Sequence, residues 1–128
     1  MKIQCRGKGG ALDFICVYCS AHCERERLLQ LDALSRNIAP QHMAHTIISG
    51  DFKCVCSDDD RINFATLDAS VQDDEEELNT WNRLVTAHGF HELHQPCHTH
   101  FGSITSSRLD RVYSNMHAMD FSILHTSC

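Results

Sequence analysis

No stretch of the sequence approaches the ~20 consecutive apolar residues that a membrane-spanning helix needs. The N-terminal apolar stretch, Ala11 to Val17, is broken by Asp13, and no secretory signal pattern is visible around it. The expectation is an intracellular chain, nuclear or cytoplasmic, without a membrane partner. Positive charge is also scarce, because 11 Lys and Arg stand against 17 Asp and Glu, a formal net charge of −6. Such a chain is repelled as a whole by a phosphate backbone, so any nucleic-acid contact has to be local. No internal repeat is found. With 128 residues and 42% hydrophobic content, the chain fits one compact domain, or part of one, and is too short for two well-formed cores.

Cysteine, by contrast, is plentiful. Eight cysteines would suggest a disulfide framework in a small secreted chain, but without a secretory signal they read as reduced thiols. Cys16, Cys19, His22 and Cys23 crowd together, with Cys54, Cys56, Cys97, His98 and His100 elsewhere, and invite a zinc reading. Geometry opposes it at the first cluster. "FICVYC" is rich in strand formers, and on a strand Cys16 and Cys19 point to opposite faces, unlike the pair of a Cys-x-x-Cys turn.

Strand and helix signals alternate along the chain, which predicts a layered α/β or α+β fold. Phe14 to Tyr18 reads as a buried strand. The segment from Glu24 places Leu28, Leu31, Leu34 and Ile38 at helical spacing and is stopped by Pro40. Thr46 to Ser49 is β-branched and closed by Gly50, which sets Asp51 just beyond a strand end, where loops often carry chemistry. Residues 56 to 72 are polar and turn-rich. "DDEEELNTWNRLVTAHG" then offers Asp73 or Asp74 as a helix cap, a stripe of Leu78, Trp81, Leu84 and Val85, and Gly89 as a stop. The acidic run Asp73 to Glu77 splays around the helix start and favours its dipole without a metal ion. "FHELHQP" resembles a short strand. In "SSRLDRVYSN" Asp110 and Val112 share one face, and Leu109, Arg111 and Tyr113 the other.

The order of "FICVYCS", an amphipathic helix, "IISGDFK", a tryptophan-bearing helix, "HTH" and "SRLDRVY" resembles the C-terminal half of the endonuclease/exonuclease/phosphatase superfamily. The closest flavour is the apurinic-type endonuclease domain attached to reverse transcriptases of non-LTR retroelements, and the match runs from about Phe14 to Asn115. The resemblance implies an α+β fold, a partial four-layer α/β/β/α sandwich, with residues 1–128 forming a single partial domain. Half of such a sandwich leaves an apolar sheet face and a strand edge uncovered, so self-association is expected.

Site residues follow from the same resemblance. Asp51 matches the catalytic aspartate of a Gly-Asp-Phe-Asn motif, a carboxylate that orients or deprotonates the attacking water. Lys53 takes the place of that motif's asparagine, which binds the scissile phosphate; lysine can bind phosphate too, as a flexible point charge, and could instead pair with Asp51. Tyr18 matches a phosphate-binding tyrosine, the alternative being an interior aromatic, and Ala21 stands where relatives often carry an asparagine. Asp110 matches the aspartate that holds the catalytic histidine in its productive tautomer, the alternative being a salt bridge to Arg108 or Arg111.

The family's metal-binding glutamate and its Ser-Asp-His triplet have no counterpart among these residues. Neither His117 nor His125 has that context, and His98 and His100 precede the strand of Asp110. The expectation is therefore a fragment of an Mg²⁺-dependent phosphodiesterase, endonuclease-like, acting on DNA or another phosphodiester. It is expected to be inactive as it stands and not to bind Mg²⁺ alone. The alternative is a non-catalytic interaction or scaffold remnant of the same fold.

Overall fold

The computed structural model describes residues 1–53, 60–64, 75–93 and 95–117. Along the chain come β1 (Lys2–Gly7), β2 (Gly10–Tyr18), α1 (Glu24–Asn37), β3 (His45–Asp51), β4 (Arg61–Asn63), α2 (Glu75–His88), β5 (His91–Glu92), β6 (His100–Phe101), β7 (Thr105–Ser107) and β8 (Asp110–Ser114). The class is α+β. A five-stranded sheet has the order β1-β2-β3-β8-β5, and a three-stranded sheet the order β4-β7-β6. Among the described residues only β2 and β3 run parallel, as expected for strands joined by a helical crossover, here α1.

Both helices pack on one face of the larger sheet. Period-2 alternation aims Ile15 of β2, Ile48 of β3 and Tyr113 of β8 at Leu31 and Leu34 of α1 and Trp81 and Leu84 of α2. Phe52, Trp81 and Tyr113 form the centre of this core, with ring centroids 4.7–5.5 Å apart and tilted or edge-on planes. Each such ring pair contributes about 0.5–1.5 kcal/mol beyond the burial of its area. The helix spacing read from the sequence is realised in Leu31, Leu34 and Ile38, whereas Leu28 is only half-buried. Arg27 is buried in its stead because its Nε donates to Glu77 Oε2 of α2 at 2.7 Å.

That contact corrects the reading of the acidic run. Glu75 and Glu76 are exposed at the helix start, but Glu77 lies four residues before Trp81 on the buried stripe and turns inward to Arg27. Asp73 and Asp74 lie outside the described residues. Gly89, at φ +66°, ends α2 as expected.

The opposite face of the sheet corrects the reading of Phe14–Tyr18 as a buried strand. Ile15 is buried, while Phe14, Cys16 and Tyr18 are exposed together with Ile3 of the edge strand β1. Two other expectations change. The turn-rich segment contains a short strand, β4. The "SSRLDRVYSN" strand is split into β7 and β8, which belong to different sheets. The split occurs at Arg108 and Leu109, where the Arg108 N–H donates to the Asp60 carbonyl and Thr99 Oγ1 accepts the N–H groups of Leu109 and Asp110. No described helix is long and apolar enough to cross a membrane.

Candidate functional site

Three of the four residues singled out in the sequence meet at one rim of the larger sheet. In the strand register Tyr18 of β2 pairs with Asp51 of β3, and Asp51 pairs with Asp110 of β8. All three side chains therefore start from the same face, the one that carries no described helix. Asp51 is the last residue of β3 and not, as read from the sequence, a position beyond it.

The local backbone explains why the rim is fixed. Gly50, at φ +148°, lies so close to β2 that an added Cβ would stand 1.9 Å from the Val17 carbonyl oxygen. Only glycine fits. The Asp51 carbonyl accepts the Cys19 N–H at 2.9 Å, and the Phe52 N–H donates to the Leu109 carbonyl at 3.0 Å. Phe52, 1% exposed, drives its ring into the core and so anchors the carboxylate that precedes it.

Lys53 completes the cluster. It adopts the left-handed conformation at φ 57°, uncommon for a residue with a long side chain. Its N–H donates to Asp51 Oδ1 at 3.2 Å, and its ammonium forms a salt bridge with Asp51 Oδ2. The same ammonium stands 5.4 Å from the centre of the Tyr18 ring, a cation–π contact. The hydrogen bond to Asp51 raises the Lys53 pKa above its ordinary value against the opposing effect of burial, and the charges of Asp51, Tyr18 and Asp110 add to the rise. Lys53 is thus held as a cation.

Tyr18 is 72% exposed, which overturns the interior-aromatic alternative. Among the described residues the Asp110 carboxylate makes no hydrogen bond or salt bridge, and the suggested pairing with Arg108 or Arg111 does not occur. Both arginines turn to Asp60, which is fully buried. Asp60 Oδ1 accepts from Arg108 Nε and Nη2 at 2.9 and 2.7 Å, and Oδ2 accepts from Arg111 Nη2 at 2.6 Å. Arg108 also pairs with Glu92. Burial works against the Arg108 charge, but the hydrogen bonds and charge of Asp60 more than offset it and raise its pKa. This network fastens the chain on either side of Asp110, and sequence reasoning missed Asp60 as its centre. The available signal was Arg111 on the same strand face as the apolar Leu109 and Tyr113, since an arginine buried there requires an acid.

Of the remaining candidates, Cys16 is exposed and Cys19 buried, so the two thiols face different surroundings. Cys54 and Cys56 lie outside the described residues. His98 Nδ1 is 2.6 Å from Ser106 Oγ, and His100 is exposed on β6. Among the described residues no three His, Cys, Asp or Glu side chains are grouped to hold a metal ion. The rim itself does not fit Mg²⁺, which needs near-octahedral oxygen ligation, because one of its two carboxylates is bound to an ammonium. What the rim offers is a carboxylate with access to solvent, a phenol and a fixed cation, a set able to contact a phosphate or orient a water. No protein-family model matches the chain, and no curated protein is similar to it in sequence.

Proposed function

We propose that the chain carries the Asp51 and Asp110 corner of a divalent-metal-dependent phosphodiesterase of the endonuclease type, acting on nucleic acid, and that it does not turn over substrate by itself. The observation that supports this reading is the register that brings Tyr18, Asp51 and Asp110 side by side at one rim. In that reading Asp51 serves the attacking water, Asp110 orients an imidazole supplied from outside these residues, and Tyr18 contacts the phosphate. The metal that such chemistry requires stabilises charge developing on the phosphate, and its glutamate ligand is likewise supplied from elsewhere. A second reading, a non-catalytic scaffold of the same fold, is favoured by the Lys53–Asp51 salt bridge, which ties up the carboxylate meant for water.

Supercoiled-plasmid nicking separates the two. The phosphodiesterase reading expects that genomic DNA on either side of this coding segment encodes, in frame, a glutamate-bearing strand and a Ser-Asp-His triplet. The extended polypeptide then nicks DNA with Mg²⁺, stops with a chelator, and stops again in Asp51→Ala. Flanking codons with neither feature favour the scaffold, and nicking by the 128-residue chain that survives Asp51→Ala sinks the proposed roles.

A further inference from the structure

We propose that Lys53 is a tethered counter-cation that keeps the Asp51 rim closed to divalent ions. This rests on the phosphodiesterase reading only for its biological meaning, since the lock itself is a property of residues in place. The ammonium is bound to one Asp51 oxygen, the Lys53 N–H to the other, and the Tyr18 ring lies under the charge. Asp110, on the neighbouring strand, adds a second negative charge that favours the ammonium there. Lys53 makes these contacts from a left-handed backbone at φ 57°, and its side chain is mostly covered. A divalent ion approaching the two carboxylates meets a positive charge already in contact with one of them. It must displace that charge or accept its repulsion. Removing one positive charge a few Å from a divalent ion tightens binding about tenfold even with the screening of bulk water.

The test is titration with Tb³⁺, an oxygen-seeking ion whose luminescence is sensitised by a nearby tyrosine, here Tyr18. The proteins are the native chain, Lys53→Met, Lys53→Arg, and Lys53→Met combined with Asp51→Asn. Methionine bears the same left-handed backbone as lysine, and Lys53→Asn, a residue that tolerates that conformation, serves as a second variant. Expected is saturable binding in Lys53→Met and Lys53→Asn at least about tenfold tighter than in the native chain, competed by Mg²⁺. The gain should be absent in Lys53→Arg, which keeps the charge and binds as weakly as the native chain, and should be abolished by Asp51→Asn. Equal affinity in the native chain and Lys53→Met overturns the proposal, as does a gain that persists with Asp51→Asn. DNA hydrolysis plays no part in this readout, so failure of the phosphodiesterase reading and failure of the lock are seen separately.

Discussion

Replacing Gly50 with alanine is expected to damage the fold more than any other loss of a hydrogen for a methyl group in β3. The backbone at φ +148° is one that L-residues other than glycine hold only at a cost of about 1–3 kcal/mol. The added Cβ would stand 1.9 Å from the Val17 oxygen and 2.9 Å from the Val17 nitrogen, both backbone atoms of the partner strand. Relief requires parting β2 from β3, and each buried ladder group left unpaired costs about 1–3 kcal/mol. The sum is roughly 2–6 kcal/mol, centred near 4 kcal/mol. A chain of 128 residues has roughly 6–19 kcal/mol of stability in all. Urea titration followed by fluorescence of Trp81, the single tryptophan and 2% exposed, reports the loss. With a slope near 2 kcal/mol/M, the midpoint falls by about 2 M. Ser49→Ala, one residue earlier, is the control and should lose less than about 1 kcal/mol. A Gly50→Ala midpoint close to that of Ser49→Ala would refute the steric reasoning and with it the account of how Asp51 is placed.

Three further outcomes are expected. Asp60→Ala leaves Arg108 and Arg111 buried without their shared acid and should cost about 3–5 kcal/mol in the same titration; a loss under 1 kcal/mol would mean that Asp60 does not hold the two arginines. Cys19, whose pKa burial pushes up to about 11 with help from Glu77 and Asp51, should be modified by a thiol reagent far more slowly than exposed Cys5, Cys16 and Cys97 at pH 8. Because the fold favours the neutral thiol, its contribution to stability is complete below pH 9.0 and declines as pH rises through about 11, so a flat stability profile across that window would contradict the assignment. Phe14→Lys places a charge on the open sheet face where Phe14 is 42% exposed, and should shift a self-associated fraction toward monomer in size-exclusion chromatography; a native chain already monodisperse as a monomer would remove the basis for that expectation.

Helices α1 and α2 could be read from the sequence because their apolar residues recur at helical spacing and Pro40 and Gly89 mark where they stop. The face assignment around Asp110 was readable for the same reason, as Leu109, Arg111 and Tyr113 are buried and Asp110 is exposed. Strand β1 was not, because all six of its residues are exposed and its sequence has no buried face to announce. The Phe14–Tyr18 segment misled because an apolar run looks alike whether one face or both are covered. At the rim, Tyr18, Asp51 and Asp110 were each singled out in the sequence, but their alignment depends on strand order, which no local pattern encodes. Glu77 and Asp60 were hidden among neighbouring acids; the first was recoverable from its helical phase with Trp81, the second only from the buried arginines that it serves.

The alternation along Gly50, Asp51 and Phe52 divides the letters of the motif by what would preserve them. Gly50 answers to the Val17 backbone and Phe52 to Trp81 and Tyr113, so any variant that still folds is under pressure to keep both. Removing one residue from β3 would exchange the two outlooks, sending a ring to solvent and a carboxylate into the aromatic core. Folding alone therefore constrains Gly50 and Phe52, whatever the rim does. The two positions that the core does not constrain are Asp51 and Lys53, so a function of the rim would be read from them and not from their neighbours.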